Sequence, residues 1–129
     1  MTYEALNRYK QNTVLTATPE ELTLMLYDGV IKFMNIARYH MENKDVEKSH
    51  FSLMRAQDII FELNYSLDMN YEISKDFRSL YDFVQSKLVD ANIHKDPKDI
   101  DEALEVVNGM RETWKELMKQ IKQRVYQAK

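Results

Sequence analysis

The sequence predicts an all-α protein, an antiparallel up-down four-helix bundle preceded by a short N-terminal helical cap segment. Three observations lead there. Only two glycines and two prolines occur in 129 residues, too few for the turn chemistry of a β-protein. Both prolines follow a capping residue, in "TPEE" at Thr18 and "DPKD" at Asp96. Apolar residues recur at steps of three and four through the stretches between, which is the period of a helix with a buried face.

The cap segment comes first. Met1, Leu6 and Tyr9, with Tyr3 flanking, give a short amphipathic helix followed by "QNTV". A helix this brief does not hold itself together in water. Residues 1–17 therefore read as a mobile cap, and residues 18–129 as the bundle of a single domain.

The first bundle helix, 19–42, opens on a capping box. The Thr18 hydroxyl is placed to accept from the Glu21 N–H, the Glu21 carboxylate to reach back, and Pro19 to fill the first helical position. Its inward seam reads Leu22, Met25, Leu26, Gly29, Phe33, Ile36 and Ala37. Asn43-Lys44-Asp45 breaks the pattern, with Asn suited to the left-handed conformation that ends a helix. The second helix, 45–67, follows with Val46, Leu53, Ala56, Ile60, Leu63 and Leu67 inward. After Asp68-Met69-Asn70, the third helix, 72–93, offers Ile73, Phe77, Leu80, Val84, Leu88 and Ala91. Asp96 caps the fourth, 97–126, with Ile100, Leu104, Val107, Trp114, Met118, Ile121 and Val125. Connections this short force antiparallel neighbours, and ~1.5 Å per residue gives an elongated bundle.

The seams leave a surplus. On the first bundle helix Leu24, Tyr27, Ile31 and Met34 step along a second face, and on the next Phe51, Met54, Phe61 and Tyr65 form an offset row broken by Asp58. An apolar side chain left in water forgoes ~1.5–3 kcal/mol of burial, so an exposed row implies a cover. Packing against diagonal neighbours is the competing account, strongest for Met54 and Tyr27. For the row as a whole, a partner helix or the displaceable N-terminal segment is the expected cover. Mid-helix Gly29 and Gly109 each cost ~1 kcal/mol relative to alanine and call for a local reason such as close approach of another backbone.

Other chemistries find no support. A net charge of −3 and a pI near 5.6 leave no footprint for nucleic acid. Cysteine is absent, and two glycines eighty positions apart cannot form a phosphate loop. Glu47-Lys48-Ser49-His50 has the Glu-x-x-His spacing of di-metal bundles, but such a centre needs a second copy, and neither His40 nor His94 supplies one. The acid pairs at 20–21 and 99–101 sit at helix starts, where the dipole accounts for them. No enzyme, cofactor or metal is expected. No run approaches the ~20 apolar residues of a membrane span, and no signal-peptide pattern opens the chain, so a cytoplasmic location is expected. The lysines and Arg124 near the C-terminus read as a solvated helix end.

The stretches "LTATPEELTLMLYDGVIKF", "RAQDIIFELNYSLD", "SLYDFVQSKLVDANIHKD" and "TWKEL", in this order and spacing, resemble the flagellin-specific export chaperone family, FliS. The resemblance spans nearly the whole chain and is most specific at Asp28 and Gly29, at Leu80, Tyr81 and Asp82, and at Ala91, Asn92 and Trp114, which read as structural motif positions. Tyr9-x-Gln11 also resembles the start of the family. The resemblance implies a cytoplasmic bacterial chaperone without ATP chemistry. It would bind the disordered C-terminal segment of flagellin, prevent premature polymerisation and assist delivery to the flagellar export gate. It also implies a further regulator of flagellin as a partner. On this reading Leu24, Tyr27, Ile31, Met34, Phe51, Met54, Phe61 and Tyr65 line flagellin-binding grooves, while Leu6, Tyr9 and Gln11 form the removable cap and a contact for the export gate. The alternative is a helical adaptor or regulatory bundle that binds another amphipathic helix. Self-association into a homodimer through the apolar surplus is compatible with either.

Overall fold

The computed structural model describes residues 3–128, without the side chains of Tyr3, Tyr9 and Ala128. The order is α1 (Tyr3–Thr16), α2 (Pro19–Glu42), α3 (Val46–Tyr65), α4 (Ile73–His94) and α5 (Pro97–Ala128). Helix starts follow the caps. Thr18 Oγ1 accepts from the Glu21 N–H at 3.1 Å, the Asp45 carboxylate accepts from the Lys48 N–H at 3.1 Å, and the Asp96 carboxylate accepts from the Lys98 N–H at 3.0 Å. Helix ends differ from expectation in one respect: the left-handed conformation falls on Lys44 (φ 58°) and Lys95 (φ 53°), not on Asn43. Asn43 instead turns its side-chain amide back onto the Tyr39 carbonyl at 2.8 Å, so the next residue takes the turn.

α2 packs on α3, α3 on α4 and α4 on α5, and α5 closes the ring against α2. The cross-links give the direction of each pair. Between α2 and α5, Arg38 meets Asp101 at 2.6 Å, Arg111 meets Asp28 at 2.5 Å, and Trp114 Nε1 donates to the Glu20 carbonyl at 3.0 Å. One number falls as the other rises, so the helices run antiparallel. Between α3 and α4, Asn64 with Asp82, Gln57 with Gln85, and His50 with Asn92 give the same sense.

The α2 seam lies one residue later than the sequence pattern proposes. Tyr27, Val30, Met34, Ala37 and Met41 are buried, whereas Leu22 is exposed and Leu26 and Phe33 pack half-buried against the core's flank. One residue is 100°, so the helix is rotated by more than a quarter-turn from the expected phase. Tyr27 and Met34, expected in an outer groove, are thus core residues with 0% exposure. Ile31 also packs half-buried on the core. The physical reason is that α2 faces two neighbours, α3 and α5, and needs an apolar arc wide enough for both. On α3, Val46 is exposed while Ser49 and Ser52 are buried; on α4, Ile73 and Leu80 are exposed while Ser74 and Tyr81 are buried. The buried serines are accommodated locally: Ser49 Oγ donates to the Val46 carbonyl at 2.9 Å and Ser74 Oγ to the Asp68 carbonyl at 2.6 Å.

Gly29 meets its expected packing reason in modified form. A Cβ there would lie 3.3 Å from Cδ1 of Ile59 on α3, a side chain rather than a backbone. A Cβ at Gly109 would meet nothing within 4 Å.

Candidate docking surface

α3 keeps the row that the sequence marked. Phe51, Met54, Phe61 and Tyr65 are 58, 42, 64 and 78% exposed, although core residues Leu53, Ala56, Ile60 and Leu63 on the same helix are almost wholly enclosed. At 1.5 Å per residue the row spans about 21 Å. Its first half borders α2: Phe51 and Met54, with Phe33 and Ile36, line an open groove of about 850 Å³. Its second half borders α4: Phe61 and Tyr65, with Arg78 and Asp82, line a depression of about 310 Å³. The Phe61 and Tyr65 rings stack at 6.2 Å, and the Arg55 guanidinium lies 5.2 Å from the Phe51 ring centre. The four side chains of the row present an apolar ridge to water.

The remaining groove candidates separate. Leu24 is half-buried and lines a different groove, shared with the far end of α5. Tyr27, Met34 and, in part, Ile31 belong to the core.

α1 is longer than the expected cap helix. It continues through "QNTV" to Thr16, and it takes no part in the four helix–helix interfaces of the bundle. Leu6, Val14 and Leu15 are 40, 50 and 81% exposed, and Gln11 is exposed. No described α1 residue lines the α3 grooves. Met1 and the side chains of Tyr3 and Tyr9 lie outside the described residues.

The motif positions are mostly joints between helices. Tyr27 on α2 and Tyr81 on α4 share a hydroxyl–hydroxyl hydrogen bond of 2.6 Å in the core. Burial pushes both phenols above the ordinary tyrosine value; at Tyr27 the neighbouring Tyr81 adds to the rise, and at Tyr81 the hydrogen bond with Tyr27 works against it. Asp28 accepts from Arg111, whose pKa it raises. Asp82 accepts from the Asn64 amide at 3.0 Å, and that amide's oxygen accepts from Arg78 at 3.2 Å. Asn92 bridges His50, at 2.7 Å, and the Lys95 ammonium. Ala91 is fully buried. The sequence reading missed the ion pairs of Arg38 with Asp101 and of Lys87 with Glu102 at 2.6 Å; charge alone at these positions carries no signal of a partner so far along the chain. Among the described residues no group of three or more acidic or histidine side chains could hold a metal ion. No described helix is long and apolar enough to cross a membrane.

The family profile described as "Flagellar protein FliS" matches residues 2–121. The chain belongs to the FliS family. It is 44% identical over 108 residues to the "Flagellar secretion chaperone FliS" of Bacillus subtilis (strain 168), a match that covers 84% of this chain and 81% of that protein. The like-named protein of Campylobacter jejuni is 30% identical over 115 residues, covering 88% of this chain and 90% of the relative. That of Salmonella typhimurium is 31% identical over 110 residues, with 83% and 82% covered. A solved structure titled "Crystal structure of flagellar chaperone from bacteria" superimposes with a TM-score of 0.74 at 20% identity, covering 91% of this chain and 97% of that one. That likeness carries the fold. The relatives' names make this a family of chaperones.

Proposed function

We propose that this chain binds the C-terminal segment of flagellin in the cytoplasm, keeps it from polymerising and assists its delivery to the flagellar export gate. The observation that carries the reading is the ridge of Phe51, Met54, Phe61 and Tyr65, exposed on a helix whose core face is already filled. A ridge about 21 Å long between two grooves suits an amphipathic helix laid along it, the apolar positions of the guest covering the row. Flagellar secretion chaperones of the same family, 44% and 30% identical, support the choice of guest. A guest that is disordered when free must be ordered on binding, so an extended interface is needed for useful affinity.

α1 is the natural displaceable element. It is short, it stands off the bundle interfaces, and Leu6, Val14 and Leu15 offer an apolar surface of their own. Leu6, Tyr9 and Gln11 serve on this reading as the cap and as a contact for the export gate. The test is a titration of the full chain with a synthetic flagellin C-terminal peptide, followed by far-ultraviolet circular dichroism. Helicity should rise beyond the sum of the two components and saturate. A signal equal to that sum at every ratio, with no binding heat, would count against this guest and leave another amphipathic helix as the ligand.

A further inference from the structure

A second surface lies along the C-terminal part of the long helix α5. From Lys119 to Gln127 every side chain of α5 is exposed, because α2, antiparallel to it, begins near the level of Trp114. The apolar stripe of α5 nevertheless continues past the bundle: Ile121, Val125 and Tyr126 are 47, 54 and 83% exposed. Beside it Leu24 of α2 and Met118 of α5 give a groove of about 560 Å³ an apolar lining, and Lys115, Lys119 and Lys122 stand along it.

The lysines need a reason. A helix macrodipole favours cations only within about its last turn, and α5 runs on to Ala128, so Lys115, Lys119 and Lys122 lie too far back. None of the three makes an ion pair among the described residues, whereas Arg38, Lys87 and Arg111 all do. Between residues 113 and 127 Glu116 is the one acid against four basic side chains, in a chain whose net charge is −3. Local positive charge set against the overall sign, bordering an uncovered apolar stripe, specifies its complement.

We infer that this end of α5 docks an acidic amphipathic helix of another protein, with apolar residues on the stripe and carboxylates facing Lys115, Lys119 and Lys122. From Lys115 to Tyr126 the surface is about 17 Å long, three turns of a docked helix. The chain's own leader is a poor occupant, because α1 carries Arg8 and Lys10 against Glu4. A groove walled by α2 on one side suits a cylinder better than a flat membrane. The site is separate from the α3 ridge, so the two can be filled at once.

The test uses the full chain and two labelled 18-residue amphipathic peptides with identical leucine positions, one flanked by glutamates and one by lysines. Fluorescence anisotropy should show the glutamate peptide binding at least tenfold more tightly than the lysine peptide, and weakening as salt rises. The triple variant Lys115→Glu, Lys119→Glu, Lys122→Glu, with its helicity verified, should reverse that preference. A variant with Phe51→Ser, Phe61→Ser and Tyr65→Ser should keep the glutamate peptide, which separates this inference from the flagellin reading. Equal binding of both peptides, indifference to the charge reversal, loss of binding in the α3 variant, or capture by phosphatidylserine vesicles without peptide binding would each overturn it.

Discussion

Replacing Tyr81 by phenylalanine tests the joint at the centre of the bundle. The two phenols hold a 2.6 Å hydrogen bond, with Tyr27 at 0% and Tyr81 at 2% exposure. Removing the Tyr81 hydroxyl leaves that of fully buried Tyr27 without its hydrogen-bond partner, and an orphaned buried polar group costs about 1–3 kcal/mol. Tyr27→Phe is the milder change, because Tyr81, unlike Tyr27, also lines a cavity of about 260 Å³ beside Trp114 and Leu117. Replacing both removes donor and acceptor together and should cost less than the two single changes added, a coupling of about 1 kcal/mol. Urea unfolding followed by the fluorescence of Trp114, the one tryptophan, measures each term. At slopes of about 1–3 kcal/mol per molar urea, Tyr81→Phe should shift the midpoint by roughly 1 M. Additive single changes, or Tyr27→Phe costing more than Tyr81→Phe, would refute the assignment of the pair and its asymmetry.

Four further outcomes follow from the same coordinates. Because both phenols titrate above the ordinary value of 10.0 in the folded state, the unfolded chain loses those protons first; stability should hold below pH 10 and fall as pH rises past it, and the double phenylalanine variant should show a shallower fall in alkaline urea titrations. Gly109→Ala, with open space around the new methyl, should stabilise by about 0.5–1 kcal/mol in thermal unfolding. Gly29→Ala should gain less or lose, since its methyl would crowd Ile59 at 3.3 Å, and pairing it with Ile59→Val should recover part of the difference. At low pH, Asp101, held below the ordinary carboxylate range by its hydrogen bond from Arg38, contributes stability that is present above that range and lost as pH falls through it; Asp101→Asn should flatten the acid limb of the stability curve.

Much of the architecture was legible because caps are local. Thr18, Asp45 and Asp96 bond to backbone groups two or three residues ahead, so three helix starts can be read from a few letters, and the expected range 19–42 stands beside the observed helix Pro19–Glu42; α4 starts after Glu72 without a side-chain cap bond. Phase was harder. Leu26, Gly29, Phe33 and Ile36 and the set one residue later, Tyr27, Val30, Met34 and Ala37, are nearly as apolar as each other, and the deciding contact, Tyr27 with Tyr81, joins residues 54 positions apart. A phenol looks like a surface group until its partner is known. Buried Ser49 and Ser74 escaped for a similar reason: a small hydroxyl that bonds a backbone carbonyl three or six residues back behaves as core filler. The α3 row was legible because Leu53, Ala56, Ile60 and Leu63 already fill the inward face, so Phe51, Phe61 and Tyr65 have nowhere else to point. The position of α1 was not, since its contacts depend on a surface that no local pattern describes.

The most direct measurement is the affinity of the flagellin C-terminal peptide for the intact chain and for the variant Phe51→Ser, Phe61→Ser, Tyr65→Ser, by isothermal titration calorimetry. These side chains are 58, 64 and 78% exposed, so unfolding stability should change by less than about 0.5 kcal/mol per site. Binding should weaken by at least a hundredfold, equivalent to roughly 2.7 kcal/mol. An unchanged affinity in a normally folded variant would contradict the account, and the α3 ridge would then be a surface without this guest.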